Sequence, residues 1–166
     1  MTDSIIRPAR EDDGTELGRM AGALVRLHHA FDPLRFLMIE GSPERGTLEQ
    51  GYGRWLVRES QNARAIVLVA ELDGKIVGYA YATSNDRDWM MLLDACGALQ
   101  DIWVDQEARR AGIAKLLLED VCRRFREMGT PRVVLSTAAK NEGAQKFFEA
   151  MGFRRTMIEM TRELEK

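Results

Sequence analysis

Apolar residues return at the helical interval at Ile113, Leu116, Leu117, Val121, Phe125 and Met128, with Lys115, Glu119, Asp120, Arg123, Arg124 and Arg126 on the opposite side. That spacing predicts one long amphipathic helix, its charged face braced by Glu119–Arg123 and Asp120–Arg124 at i,i+4. Ala98–Val104 before it reads as a buried strand, and Gly129 followed by Thr130-Pro131 as the helix stop. Arg132–Thr137 is then a second strand, parallel to the first because a crossover helix joins them. Earlier, Ser4–Pro8 is a short strand, and Leu17, Met20, Leu24, Val25 and Leu27 mark a helix from about Thr15 to Ala30 that ends in His28 and His29. Ala65–Leu72 and Lys75–Thr83 form a hairpin through Asp73-Gly74. A short helix runs from its cap at Asn141 to Gly152, and Arg154–Leu164 is the last strand. Phe31–Ser60, interrupted by Pro33, Gly41, Pro43, Gly46, Gly51 and Gly53, gives helical turns at Leu34–Glu40 and Leu48–Glu59. It is either one wall of a binding site or plain connection. The apolar run from Trp89 to Leu93 reads as core or interface packing.

Composition narrows the class. At 166 residues, 45% hydrophobic and 30% charged, the expectation is a single domain over residues 1–166 with a core of its own. Basic and acidic residues number 24 and 26, a net charge of −2, so no overall field draws the chain to nucleic acid or an anionic membrane. Two cysteines, Cys96 and Cys122, make neither a disulfide framework nor a zinc site. Cys96 falls in a predicted loop and Cys122 beside the apolar stripe. The N-terminus lacks a signal-peptide core and no apolar run is long enough for a membrane span, which makes the cytoplasm the expected compartment.

Between the buried strand and the long helix stands Arg109-Arg110-Ala111-Gly112-Ile113-Ala114. Free first-turn N–H groups, the positive end of the helix dipole and the missing side chain at Gly112 compose an anion site, for which phosphate or pyrophosphate is the natural occupant. Close packing of helix on sheet explains the same glycine equally well. The arginines further along that helix read as a solvated face.

Two segments in this order resemble the GNAT superfamily of acetyl-CoA-dependent N-acetyltransferases. Arg109–Ala114 resembles its [Q/R]-x-x-G-x-[G/A] pyrophosphate turn, and Asn141–Phe153 its Asn-x-x-Ala…aromatic…Gly-Phe segment. The opening IIRPAREDD and the Asp73-Gly74 hairpin are similar to the family's front half. The resemblance implies a mixed α/β fold with a twisted sheet of six to seven strands and helices on both faces. It implies acetyl-CoA as cosubstrate and no metal. The turn amides of Arg110, Ala111, Gly112, Ile113, Ala114 and Lys115 would bind the pyrophosphate, with Arg109 and Arg110 adding charge. The backbone of Ile102, Trp103 and Val104 would pair with pantetheine as an added strand, while Asn141 and the helix carrying Phe148 would flank it.

The chain departs from the pattern at two chemical positions. Phe148 stands where many members carry a tyrosine that protonates the leaving thiolate, and a phenyl ring donates no proton. Tyr79 and Tyr81 are the nearest substitutes. Strict alternation along the strand places Ala98, Gln100 and Ile102 on one face and Leu99, Asp101 and Trp103 on the other. The resemblance puts the substrate-facing acid at Ala98 or Gln100, neither of which is a base. Asp101 is the nearest carboxylate, so Asp101 and Gln100 are the catalytic candidates, with Asp94, His28, His29 and a water relay behind them.

The resulting expectation is direct transfer of an acetyl group from acetyl-CoA to a primary amine, on a small molecule or a protein, with no acyl-enzyme on Cys122. Asp86, Asp88 and Asp94 hint at a cationic acceptor. A homodimer is expected from the resemblance. The competing reading is a non-catalytic acetyl-CoA-binding module, favoured by the missing acid–base pair; a dinucleotide binder is disfavoured because only one glycine of that fingerprint is present.

Overall fold

Asp73 and Gly74 both take left-handed backbone, with φ of 50° and 75°. Such a two-residue turn matches the twist of the strands it joins, and it links β2 (Ala65–Leu72) to β3 (Lys75–Asn85). In the computed structural model, which describes residues 4–38, 41 and 46–164, this hairpin is the middle of a five-stranded sheet. β1 (Ser4–Pro8) runs antiparallel beside β2, β4 (Cys96–Val104) antiparallel beside β3, and β5 (Val133–Leu135) parallel to β4, so spatial order follows chain order. The parallel step needs a crossover, and α3 (Ile113–Glu127) supplies it.

Helices cover both faces, which is why β2 is a continuous apolar run rather than an alternating one. On one side Leu117, Val121 and Phe125 of α3 and Phe148 of α4 (Glu142–Ala150) pack on Leu68, Ala80, Ala82 and Leu99. On the other, Leu17 and Met20 of α1 (Gly14–Phe31) and Leu56 of α2 (Leu48–Glu59) pack on Val67, Val69, Tyr79 and Tyr81. α2 opens with a reciprocal cap, the Thr47 hydroxyl accepting from the Gln50 N–H and the Gln50 side chain accepting from the Thr47 N–H. α1 and α2 touch backbone to backbone: a Cβ at Gly18 would stand 2.1 Å from the Glu49 carbonyl oxygen, and one at Gly53 2.1 Å from that of Gly14.

The mixed α/β architecture is the expected one, with four differences in detail. The sheet has five strands among the described residues, because 154–164 forms no strand; Met157, Ile158, Met160 and Leu164 there are 70–90% exposed. On α3 Ile113, Leu117, Val121 and Phe125 are buried as expected and Leu118 joins them, while Leu116 and Met128 at the margin of the stripe reach solvent. Trp89, Met90, Met91 and Leu92 are exposed rather than core. Cys96 lies in β4 and is buried, and Cys122 is partly buried against the α3-side core. The predicted turn at Leu34–Glu40 lies partly outside the described residues.

Candidate active site

β5 accompanies β4 only from Gly97, opposite Val133, to Leu99, opposite Leu135. From Gln100 onward β4 has no partner on that side among the described residues. At the same point its register against β3 slips: Tyr81 faces Asp101, yet the next residue, Ala82, faces Leu99. Gln100 is therefore an extra residue, a bulge of the kind that re-aims side chains. The bulge overturns the strict alternation read from the sequence. Leu99 and Ile102 pack on the α3 side, whereas Asp101 and Trp103 face α1 and α2. Gln100 itself is exposed, with its Nε2 donating to Thr83 Oγ1 at 3.0 Å.

Asp101 enters a polar cluster that no local stretch of sequence contains. Tyr52 of α2 and Tyr79 of β3 both donate to its Oδ2, at 2.9 and 3.0 Å. Among the described residues no donor engages Oδ1. Burial pushes the Asp101 carboxyl above the usual carboxylate range, although the two phenols and His28 pull the other way. The phenols respond in turn: burial and then the Asp101 charge drive Tyr52 and Tyr79 upward, so each holds its proton. Tyr81 is raised by burial and by its bond to Glu59 Oε2 at 3.1 Å. Trp55 stacks edge-on to both Tyr52 and Tyr81, with ring centroids 5.4 and 4.9 Å away, and closes the aromatic wall. His28, stacked on Phe36 at 5.0 Å, is held below its usual range by burial, with the Asp101 charge opposing. His29 meets the Phe36 carbonyl through Nδ1 at 2.8 Å.

At the far end of β4 the chain turns into α3 without a side-chain cap. Arg110 and Gly112 both have left-handed backbone, φ 73° and 77°. Such a turn directs successive N–H groups into one concavity, at the positive end of the helix dipole. The first α3 amide to find a backbone acceptor is that of Leu116, on the Gly112 carbonyl at 3.1 Å. A Cβ built on Gly112 meets no atom within 4 Å, so close helix–sheet packing does not account for this glycine. Arg110, Ala111, Gly112 and Lys115 are exposed, Ala114 is half-buried, and Ile113 anchors the turn in the core. Arg109 points back instead: its Nε donates to the Val104 carbonyl at 3.2 Å and its guanidinium lies over the Trp103 ring at 5.4 Å.

Other sequence candidates are placed as follows. Asn141 caps α4, its Oδ1 accepting from the Ala144 N–H at 3.2 Å. Phe148 is buried between Phe147 and Phe153. The hydroxyls of Tyr79 and Tyr81 are committed to Asp101 and Glu59, on the side of the sheet opposite Phe148, so neither replaces a tyrosine there. Asp86 pairs with Arg64 and Asp94 with Arg87, both at 2.9 Å, while Asp88 accepts the amides of Met90 and Met91. Among the described residues no group of three or more His, Cys, Asp or Glu could hold a metal, and no helix is long and apolar enough to cross a membrane. Tyr52, Glu59 and Trp55 were not singled out from the sequence. Tyr52 lies 49 residues from Asp101, and only the stacking of α2 on the sheet brings the two together.

Residues 29–153 match the Acetyltransferase (GNAT) family. Human N-acetyltransferase 8 is 35% identical over 88 residues, 53% of this chain and 38% of its own length. The chain spans about two fifths of the curated relatives it matches. Among solved structures, a tetramutant of the BH1408 protein from Bacillus halodurans has a TM-score of 0.80 at 21% identity, covering 96% of this chain and 99% of that one. The aminoglycoside N-acetyltransferase AAC(6')-Iy, solved in complex with CoA, has a TM-score of 0.72 at 20% identity, covering 100% and 97%. At these identities the structural likeness is one of fold.

Proposed function

The chain belongs to the Acetyltransferase (GNAT) family, and from that premise we propose that it moves an acetyl group from acetyl-CoA to a primary amine by direct attack. The observation that carries the reading is the uncapped turn at Arg110–Gly112, with its paired left-handed residues and the open space over Gly112. The residues fit the group: the amides from Arg110 to Lys115 would take the pyrophosphate, and Arg110 and Lys115 would add charge. The β4 edge from Gln100 to Val104, unpaired on the β5 side among the described residues, would take the pantetheine as an extra strand and point N–H groups at the thioester oxygen. Acetyl-CoA supplies an activated carbonyl when bound.

The chain's own task is to deliver an amine as a free base. Asp101 Oδ1 is the proton acceptor in this reading. The carboxyl has a raised pKa, is steadied by two phenols on Oδ2, and among the described residues has no donor on Oδ1. As the new N–C bond forms and the C–S bond breaks, the amine proton passes to Asp101. The electron pair stays on sulfur, and water protonates the thiolate because Phe148 has no proton to give. Gln100 acts by geometry: as the bulge residue it turns Asp101 toward α1 and α2. The aromatic wall and the Glu59 carboxylate suit a cationic acceptor, on a small molecule or a protein side chain. The neighbouring fold carries an aminoglycoside N-acetyltransferase, an activity on a small-molecule amine.

Calorimetric titration with acetyl-CoA, followed by thiol release over a panel of amines, tests the proposal. Saturable binding with release for one amine class is expected. Binding with no release from any amine would favour the acetyl-CoA-binding module without catalysis, and no binding would remove the pyrophosphate assignment.

A further inference from the structure

We infer that the acceptor is a primary amine on an apolar chain, whose tail lies on two loops at the end of the sheet opposite the Arg110–Gly112 turn. The inference rests on the acyl-transfer reading above and names the substrate class for it. α1 lies over β4 head to tail: Arg19, near its start, pairs with Asp105 just past the strand at 2.6 Å, and His28, near its end, stands within the field of Asp101. The loop after α1, residues 32–37, and the loop before β4, residues 86–95, therefore open at the same end of the sheet. From the level of Asp101, opposite Tyr81, to that of Cys96, opposite Asn85, β4 rises roughly 13 Å. That is the reach of a chain of about ten carbons.

Both loops display apolar side chains. Leu34, Leu37, Trp89, Met90 and Leu92 are 72–92% exposed. Leu34 and Leu37 flank Phe36, whose ring stacks on His28 and so ties the first loop to the Asp101 cluster. The second loop is fixed from within. Asp88 and Leu93 exchange backbone bonds at 2.8 and 3.0 Å, and Asp88 Oδ1 accepts the Met90 and Met91 amides at 2.9 and 3.0 Å. Arg87 pairs with Asp94 and lies 5.0 Å over the Trp89 ring. Leu92 takes left-handed backbone, φ 51°, a conformation that strains any residue with a Cβ. Order and strain kept at an exposed apolar tip point to a surface that meets an apolar group.

Charge separates an apolar tail from a polycation. Each described carboxylate on the two loops already has a donor in its own chain. Asp32 takes the amides of Leu34 and Arg35 at 3.2 Å, Asp86 takes Arg64 and Asp94 takes Arg87 at 2.9 Å, and Asp88 takes the two methionine amides. A polycation would have to displace these donors, whereas an alkyl or aryl tail gains by leaving water. Asp101 receives the amine and the loops receive the tail, so the site selects one charge followed by apolar length.

Thiol release over a series of straight-chain primary amines, each kept below micelle formation, is the test. Half burial of each added methylene is enough for about a twofold gain in kcat/KM, so a rise of roughly sixtyfold is expected from butylamine to decylamine. Spermidine, of similar length but charged along it, should do no better than butylamine. Leu34→Ser with Leu37→Ser, and separately Leu92→Ser, should each cut the decyl-to-butyl ratio at least threefold while CoA affinity is kept. A flat series, a preference for spermidine, or a ratio indifferent to either variant overturns the inference and leaves acyl transfer standing. Turnover of a leucine-flanked lysine peptide without any gain along the amine series gives the loops to a polypeptide and overturns it too. If CoA binds but no amine releases thiol, the acyl-transfer reading fails instead. Calorimetric titration of the CoA complex then decides the tail site: tighter binding of decylamine than of butylamine upholds it, and equal binding overturns it.

Discussion

Replacing Gly112 by alanine separates the two explanations of this glycine, because α3 carries its own control at the other end. Gly112 has φ 77° and Gly129, just beyond α3, has φ 75°; a Cβ at either meets nothing within 4 Å. Each Gly→Ala change therefore imposes the same left-handed strain, about 1–2 kcal/mol, with no collision. For a chain of this size that lowers the melting temperature by roughly 2–8 °C in both variants. The ligand side differs. If the turn holds the pyrophosphate as proposed, the Gly112 methyl would enter the concavity and displace the phosphate oxygens from one or two amides. Charge-assisted bonds of this kind are worth about 1.5–3 kcal/mol each, so a loss near 3 kcal/mol, roughly a hundredfold in Kd for CoA, is expected for Gly112→Ala. Gly129→Ala should bind CoA as the wild type does. Thermal melts and calorimetric titration on the three proteins decide the matter. Gly112→Ala binding CoA within threefold of wild type, or Gly129→Ala losing as much, refutes the pyrophosphate turn.

Asp101→Asn should leave CoA affinity unchanged, lower kcat/KM for the amine by about a hundredfold or more, and abolish the acid limb of its pH profile; a surviving limb assigns the base elsewhere. Burial raises the folded-state pKa of Asp101, so the folded chain binds that proton more tightly. Its contribution to stability is present at low pH and is lost as pH rises through the raised value, a decline that denaturant titrations of Asp101→Asn should no longer show. Phe148→Tyr should keep CoA affinity within threefold and raise turnover by supplying the missing proton donor. Unchanged turnover with a lower melting temperature would mean that the new hydroxyl faces the core among Phe147 and Phe153. Gly18→Ala must push α1 from α2, since its Cβ would stand 2.1 Å from the Glu49 carbonyl oxygen. The overpacking should outweigh the gain in helix propensity and cost about 2 kcal/mol in a melt, and an unaltered melting temperature would deny the contact.

The sequence by itself determined most of the elements and the glycine turn that opens α3. Both rest on local physics: the 3.6-residue stripe of α3, the Asp73-Gly74 hairpin, the caps at Thr47 and Asn141, and a glycine at the start of a helix are set by residues within a few positions of one another. The tertiary structure alone decided the chemistry around Asp101. The one-residue bulge at Gln100 leaves no mark in the hydrophobic pattern, because it arises from how β4 pairs with β3, and it reverses the face on which Asp101 lies. Tyr52, Tyr79 and Glu59 are brought to that face by the close packing of α1, α2 and the sheet, a condition written in Gly18 and Gly53 only as small residues on helices. The last segment shows the converse. Residues 154–164 carry the alternation of a strand, yet among the described residues they pair with no strand, because local alternation fixes which side chains share a face and not which edge the segment meets.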